Sequence, residues 1–148
     1  MADAGESLTY GDLLARTREM LMDQGHGRAN ALRWKDEELL RYLFAGVTAL
    51  EKIRPAARYV GMRLVERTFP EVEPTAAEME GKTEQEIAVL RENTLNAAKA
   101  TSALIDRHFH EGVVHYACYR ALVMDENDAT SAYRSNMHRK RFEEIARS

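Results

Sequence analysis

Along most of this chain apolar side chains return every third or fourth residue, the period of about 3.6 that marks one face of a helix and not the alternation of a strand. The pattern predicts a first helix from about Tyr10 to Gln24. Thr9 can accept from the freed amides of its first turn, and Asp12 three residues on completes a capping box. Tyr10, Leu13, Leu14, Thr17, Met20 and Leu21 form its apolar stripe, leaving Arg16, Arg18, Glu19 and Asp23 to water. Gly25-His26-Gly27 supplies the stop, because glycine enters the left-handed region at no steric cost. A loop then runs to Trp34. The second helix opens on Asp36, Glu37 and Glu38, charges suited to the positive helix end. Leu39, Leu40, Leu43, Phe44, Val47, Leu50 and Ile53 carry its stripe until Arg54-Pro55 ends it.

The stretch 56–68 supports two readings. Val60, Met62 and Leu64 alternate as in a strand, whereas Tyr59, Val60, Leu64 and Arg67 fit a helix started by Pro55, and the helix is preferred. From Phe69 to Lys82 the sequence is acidic, holds two prolines and one glycine and keeps no period, so it reads as a projecting arm or connector. Thr83 and Glu86 form another capping box. Ile87, Leu90, Thr94, Ala97, Thr101 and Leu104 follow as a narrow heptad-like seam that needs a second helix against it. A fourth helix after Asp106 runs through Met124, with Phe109, Val113, Tyr116, Ala117 and Met124 on one side. Asp125-Glu126-Asn127-Asp128 breaks and recaps the chain, and a fifth helix from about Ala129 to Ala146 carries Tyr133, Met137, Phe142 and Ile145. The expected fold is a single all-α domain, a bundle of four to five helices with an extended acidic arm in its middle.

Composition narrows the function classes. With 148 residues, 45% of them hydrophobic, the chain can bury a core without staples. Its one cysteine, Cys118, excludes an intrachain disulfide and a thiolate metal cluster, and its apolar and aromatic neighbours predict a buried, inert thiol. Met1 to Glu6 has neither the cationic stretch nor the apolar run of a signal peptide, and no apolar window of about 18 residues occurs. The expectation is a cytosolic product without a membrane span. A net charge of −3 with the signs mixed argues against a nonspecific grip on nucleic acid.

Three features could carry chemistry. On a helix His108, Glu111 and His115 lie at i, i+3 and i+7, one face, which would suit a small metal-dependent hydrolase. Against that, His110 and His115 are five apart and point about 140° from one another, so the two-histidine zinc-protease pattern is absent. Gly25-His26-Gly27 follows a helix and does not join a strand to a helix, so it is a stop and not a phosphate cradle. Arg139-Lys140-Arg141 could touch phosphates in a helical nucleic-acid-binding module, but cations in a last helical turn are commonly a solvated end. Tyr116, Tyr119 and Tyr133 read as core and interface filler. No nucleophile elbow or acid-base carboxylate pair is placed by the sequence, so no enzyme, metal or cofactor is expected.

Two stretches carry a resemblance. Leu13-Leu14-Ala15-Arg16, then Arg33-Trp34-Lys35-Asp36-Glu37-Glu38-Leu39-Leu40-Arg41-Tyr42-Leu43, then Arg54-Pro55, is similar to the N-terminal half of the head-to-tail adaptor (connector) proteins of short-tailed bacteriophages. There an R-W-x-D-x-E-L-L-x-Y-L segment follows a first helix and R-P closes the second. Phe109 to Leu122, FHEGVVHYACYRAL, resembles that family's Y-H-E-A-L-V-x-Y-x-x-Y-R-A pattern. Together the two cover roughly half the chain. Lys35 stands where the family often has a capping serine, which moves the expected cap to Asp36. Phe44 replaces a commoner polar residue, and residues 76–105 look helical where the family often has strands.

The resemblance implies a structural virion protein without catalysis. Copies of the chain, about twelve by the portal's symmetry, would form a ring at the portal-tail junction, assembled in the host cytoplasm. The partners would be other copies, the portal protein and a tail nozzle or tube protein, with packaged DNA passing through unread. Expected interface residues are Phe69, Glu71, Val72 and Glu73 on the arm, Ile87, Leu90, Thr94 and Leu104 on the seam, and Arg139, Lys140 and Arg141 near the chain end.

Overall fold

Each helix begins where the chain supplies an acceptor for amides that the helix itself leaves unpaired. The computed structural model describes residues 8–22, 34–124 and 129–148. The expected stop at Gly25-His26-Gly27 and break at Asp125 to Asp128 lie outside the described residues. Six helices lie within them: α1 (Tyr10–Leu21), α2 (Asp36–Ile53), α3 (Ala76–Met79), α4 (Glu84–Ala100), α5 (His110–Val123) and α6 (Ala129–Arg147). A two-stranded hairpin, β1 (Tyr59–Val60) and β2 (Arg63–Leu64), completes an all-α bundle. None of these helices is long and apolar enough to cross a membrane.

Both expected capping boxes are present. Thr9 Oγ1 accepts from the Asp12 amide at 3.1 Å while Asp12 accepts from the Thr9 amide at 3.0 Å, and Thr83 with Glu86 repeats this at 3.2 and 2.9 Å. A third box, Thr75 with Glu78, starts α3. Asp36 does not cap α2. Glu38 instead accepts from the Lys35 amide at 3.1 Å, and the Asp36 carboxylate is taken up by other helices. α1 ends at Met22, whose φ of 59° closes the helix in the left-handed region.

α5 is the centre of the bundle. Val113, Val114, Ala117, Cys118, Ala121 and Leu122 are all fully or almost fully buried, because α1, α2 and α6 pack around it. The stripe of α2 is buried as its spacing requires, with Leu39, Leu43 and Val47 at 0% exposure and Leu50 at 1%, facing α5, α1 and the edge of α6. α5 and α6 approach closely at Gly112, where an added Cβ would stand 2.9 Å from Ile145 Cγ2. α6 buries Ser131, Ser135, Phe142, Ile145 and Ala146, so Tyr133 and Met137, expected on its inner stripe, face outward. Arg54 fastens the end of α2 to the end of α6: its Nε donates to the Ala146 carbonyl at 2.9 Å, and its guanidinium lies over the Phe109 ring.

Residues 56–68 are not the single helix preferred above. A short 3-10 turn (Pro55–Arg58) leads into the hairpin, whose turn residues Gly61 and Met62 both have positive φ, 57° and 71°. That is the backbone a two-residue hairpin turn demands. Arg67 then returns to the core, pairing with Glu51 at 3.0 Å and donating to the Ala103 carbonyl at 2.8 Å. After α4 the chain crosses beside the start of α1: Tyr10 N donates to the Thr101 carbonyl and Ala103 N to that of Leu8.

Candidate interaction surface

His108, Glu111 and His115 are not brought together. His108 precedes the helix in a 3-10 turn (Arg107–Phe109), and its ring nitrogen lies 2.7 Å from Ser148 Oγ. Glu111 accepts from Arg16 at 3.0 Å. His115 meets His138 of α6, Nδ1 to Nδ1 at 2.9 Å, so one neutral imidazole donates and the other accepts. The face assumed for the three residues required the helix to start before His108, and it starts at His110. His110 is itself buried, with Nε2 2.9 Å from the Ile105 carbonyl. Among the described residues no three metal-ligating side chains converge.

The arm divides into two parts. Phe69 stacks on Phe44 at 5.0 Å, Phe44 meets Tyr10 edge-on at 4.9 Å, Val72 is 7% exposed, and Glu73 pairs with Arg41 of α2 at 3.3 Å. Residues 69–74 therefore lie along α2 and do not project as expected. Glu71 and residues 75–78 are exposed, and the chain leaves the bundle there.

α4 is held at one end. Ala98 is its only buried residue. At that end Lys99 Nζ reaches Asp36 Oδ2 at 2.6 Å while Arg18 reaches Asp36 Oδ1, so one carboxylate ties α1, α2 and α4 together. Burial alone would push the Asp36 pKa up, but the hydrogen bonds from Lys99 and Arg18 outweigh it and hold the group below the usual carboxylate range. Arg18, expected in water, is thus enclosed. Gly11 permits the approach, since an added Cβ would stand 3.0 Å from the Lys99 carbonyl oxygen. Towards the other end Ile87, Leu90 and Thr94 are half-buried and Val89 is 54% exposed, with Thr94 Oγ1 turned back to the Leu90 carbonyl at 2.8 Å. Leu104 does not belong to this seam. The helix stops at Ala100, and Leu104 sits beyond it, exposed, with φ of 49°.

The cations of α6 border a second feature. A groove of about 510 Å³ runs between α5 and α6 and is lined by His115, Arg134, Met137, His138, Lys140, Arg141 and Glu144, three cations against one carboxylate, with Met20 of α1 at its edge. Burial lowers the pKa of both histidines. For His138 the neighbouring His115 and Arg134 add to this and take it to about 4, so the floor is neutral and the charge lies on the rim. Arg139 pairs with Glu143 at 3.8 Å and Arg141 with Glu144 at 3.4 Å, long exposed contacts worth little. Sequence reasoning singled out Lys140 and Arg141 as a basic run and His115 as a possible ligand, but missed the groove because only the packing of α5 on α6, with Met20 of α1 beside them, brings these residues together.

Comparisons with protein-family models, with curated proteins and with solved structures gave no match.

Proposed function

We propose that the chain is an assembly subunit, a head-to-tail adaptor that forms a ring between a phage portal and its tail. The observation that carries the reading is α4: a capped helix of 17 residues with one buried side chain, its apolar residues left partly or largely uncovered. Most helical stability in proteins comes from packing an apolar face and not from propensity, and this helix leaves most of its apolar face uncovered. α4 is complete only with a partner against it. The resemblance of the Trp34 to Leu43 and Phe109 to Leu122 segments to the adaptor family names the partners: portal below, tail protein above, other copies beside. The Asp36 tie and the Arg54 clamp, both built from the R-W-x-D and R-P elements of that resemblance, give such a subunit a stiff body from which to present α4.

The test is loading. Purified chain mixed with portal-bearing, DNA-filled heads that lack an adaptor should co-sediment at a fixed ratio near the portal's copy number and make those heads competent for tail addition. Heads that remain bare at saturating chain would overturn the assignment.

A further inference from the structure

We infer that the acidic end of α4 in one copy seats antiparallel in the basic groove beside α6 in the next copy, closing a heterologous interface. The inference rests on the adaptor reading and names its subunit contact. Between residues 78 and 86 the chain has four glutamates and one lysine, whereas between residues 134 and 147 it has five cations and two glutamates. The two surfaces carry opposite formal charge, −3 against +3. Each also has an apolar patch at a matching distance from its charges. On α4, Glu84 precedes Leu90 by six residues, about 9 Å along the axis, and on α6, Tyr133 precedes Lys140 by seven, about 10.5 Å. Val89 and Leu90 then meet Met137 and Tyr133, which are 53% and 70% exposed, while Glu80 and Glu84 meet Lys140 and Arg141. The match holds in one direction only. The acidic residues stand at the N-terminal end of α4 and the basic ones in the C-terminal half of α6, so the helices run antiparallel, the arrangement that also opposes their dipoles favourably.

The two surfaces do not cover each other within the chain: no α4 residue lines the groove, and Val89 and Met137 both stay more than half exposed. Two unlike patches on one subunit make head-to-tail contacts, which close into a ring or run on as a filament. The weak intrachain pairs of Arg139 and Arg141 are easily exchanged for a neighbour's carboxylates.

Mixed-chain cross-linking tests the geometry. A Leu90→Cys chain and a Met137→Cys chain are mixed at high concentration and low salt with a short bis-maleimide. Cys118 does not compete, because burial pushes its thiol up to about 12. Mixed dimers should form, and should also form between Glu84→Cys and Lys140→Cys, but should be at least tenfold rarer between Glu84→Cys and Tyr133→Cys, the parallel register. Glu80→Lys with Glu84→Lys, or Lys140→Glu with Arg141→Glu, should each cut the Leu90 to Met137 cross-link at least tenfold, and mixing the two reversed chains should restore it. Absence of mixed dimers, equal yield in both registers or indifference to charge reversal would overturn the interface. Loading onto heads by a chain that fails this assay would leave the adaptor reading standing and remove only this contact. A cross-linking chain that ignores heads would do the reverse.

Discussion

Glu51 and Arg67 pair with 10% and 12% of their side chains exposed, so each has given up most of its hydration for the other. Removing one partner of such a pair leaves a charge stranded in a poor solvent, whereas replacing both with apolar residues of similar size is commonly near neutral. Arg67→Ala should therefore cost about 3–5 kcal/mol in urea unfolding, and Glu51→Leu combined with Arg67→Met should recover most of that loss. Equal destabilisation in the two variants would mean that Arg67 acts mainly through its bond to the Ala103 carbonyl. His138 gives a second residue-scale prediction. Its folded pKa, about 4, lies below its ordinary value of 6.5, so above pH 6.5 the ring is neutral in both states and nothing is lost. As pH falls through the window between the two values the unfolded chain takes up a proton that the folded chain refuses, and stability declines. Because the site is only half-buried the loss should be about 1–2 kcal/mol, not the full value of the shift. His138→Gln should flatten the fall in Tm between pH 7 and 4.5; an unchanged slope would place the acid sensitivity elsewhere.

Elements were legible where the chain states its own boundary. Thr9 with Asp12 and Thr83 with Glu86 are local, so their helices start as the pattern predicts, and Thr75 with Glu78 follows the same rule although the surrounding stretch lacks a period. The hairpin was not legible, because its turn requires two positive φ values and only Gly61 advertises one; Met62 accepts the strain beside it. The His115 and His138 pair was hidden for another reason: its members are 23 residues apart and only the packing of α5 on α6 joins them. The tie at Asp36 was hidden in the same way, and it predicts an effect on an element. Asp36→Ala removes the acceptor for both Lys99 and Arg18 at a partly exposed site, which should lower stability by about 1–2 kcal/mol and loosen α4 preferentially. Proteolysis within residues 84–100 that speeds no more than cleavage elsewhere would show that α4 is held by its contact at Gly11 instead. The arm needs a smaller deletion than its sequence suggests. Removing residues 76–81 spares Val72, Pro74 and the cap Thr83, so the variant should fold with wild-type helicity and fail to load onto heads. Wild-type loading by this variant would leave the exposed connector without a role.

At the scale of the whole molecule the bundle divides into a body and an outlier. In the body, α2, α5 and α6 share a continuous core with α1, and Leu43, at 0% exposure, sits inside it; Leu43→Ala should cost about 2–5 kcal/mol through lost burial and the remaining cavity. α4 shares little of that core, so opening it exposes little apolar surface and costs little free energy. Amide exchange separates such regions, since a segment that opens without the rest exchanges at a rate set by its own local stability. In the free chain the amides of residues 87–97 should exchange orders of magnitude faster than those of residues 113–122, although both segments are helical. On the adaptor reading, a neighbour covering Val89 and Leu90 in copies assembled on a portal would have to be displaced before α4 could open, and protection there should rise towards that of the body. The body's own amides, already limited by global unfolding, should change far less. Slow exchange of α4 in the free chain would mean that its bond to Asp36 and its caps suffice to hold it. Unchanged fast exchange in loaded particles would mean that the surface left open on α4 is not where the neighbouring subunit lands.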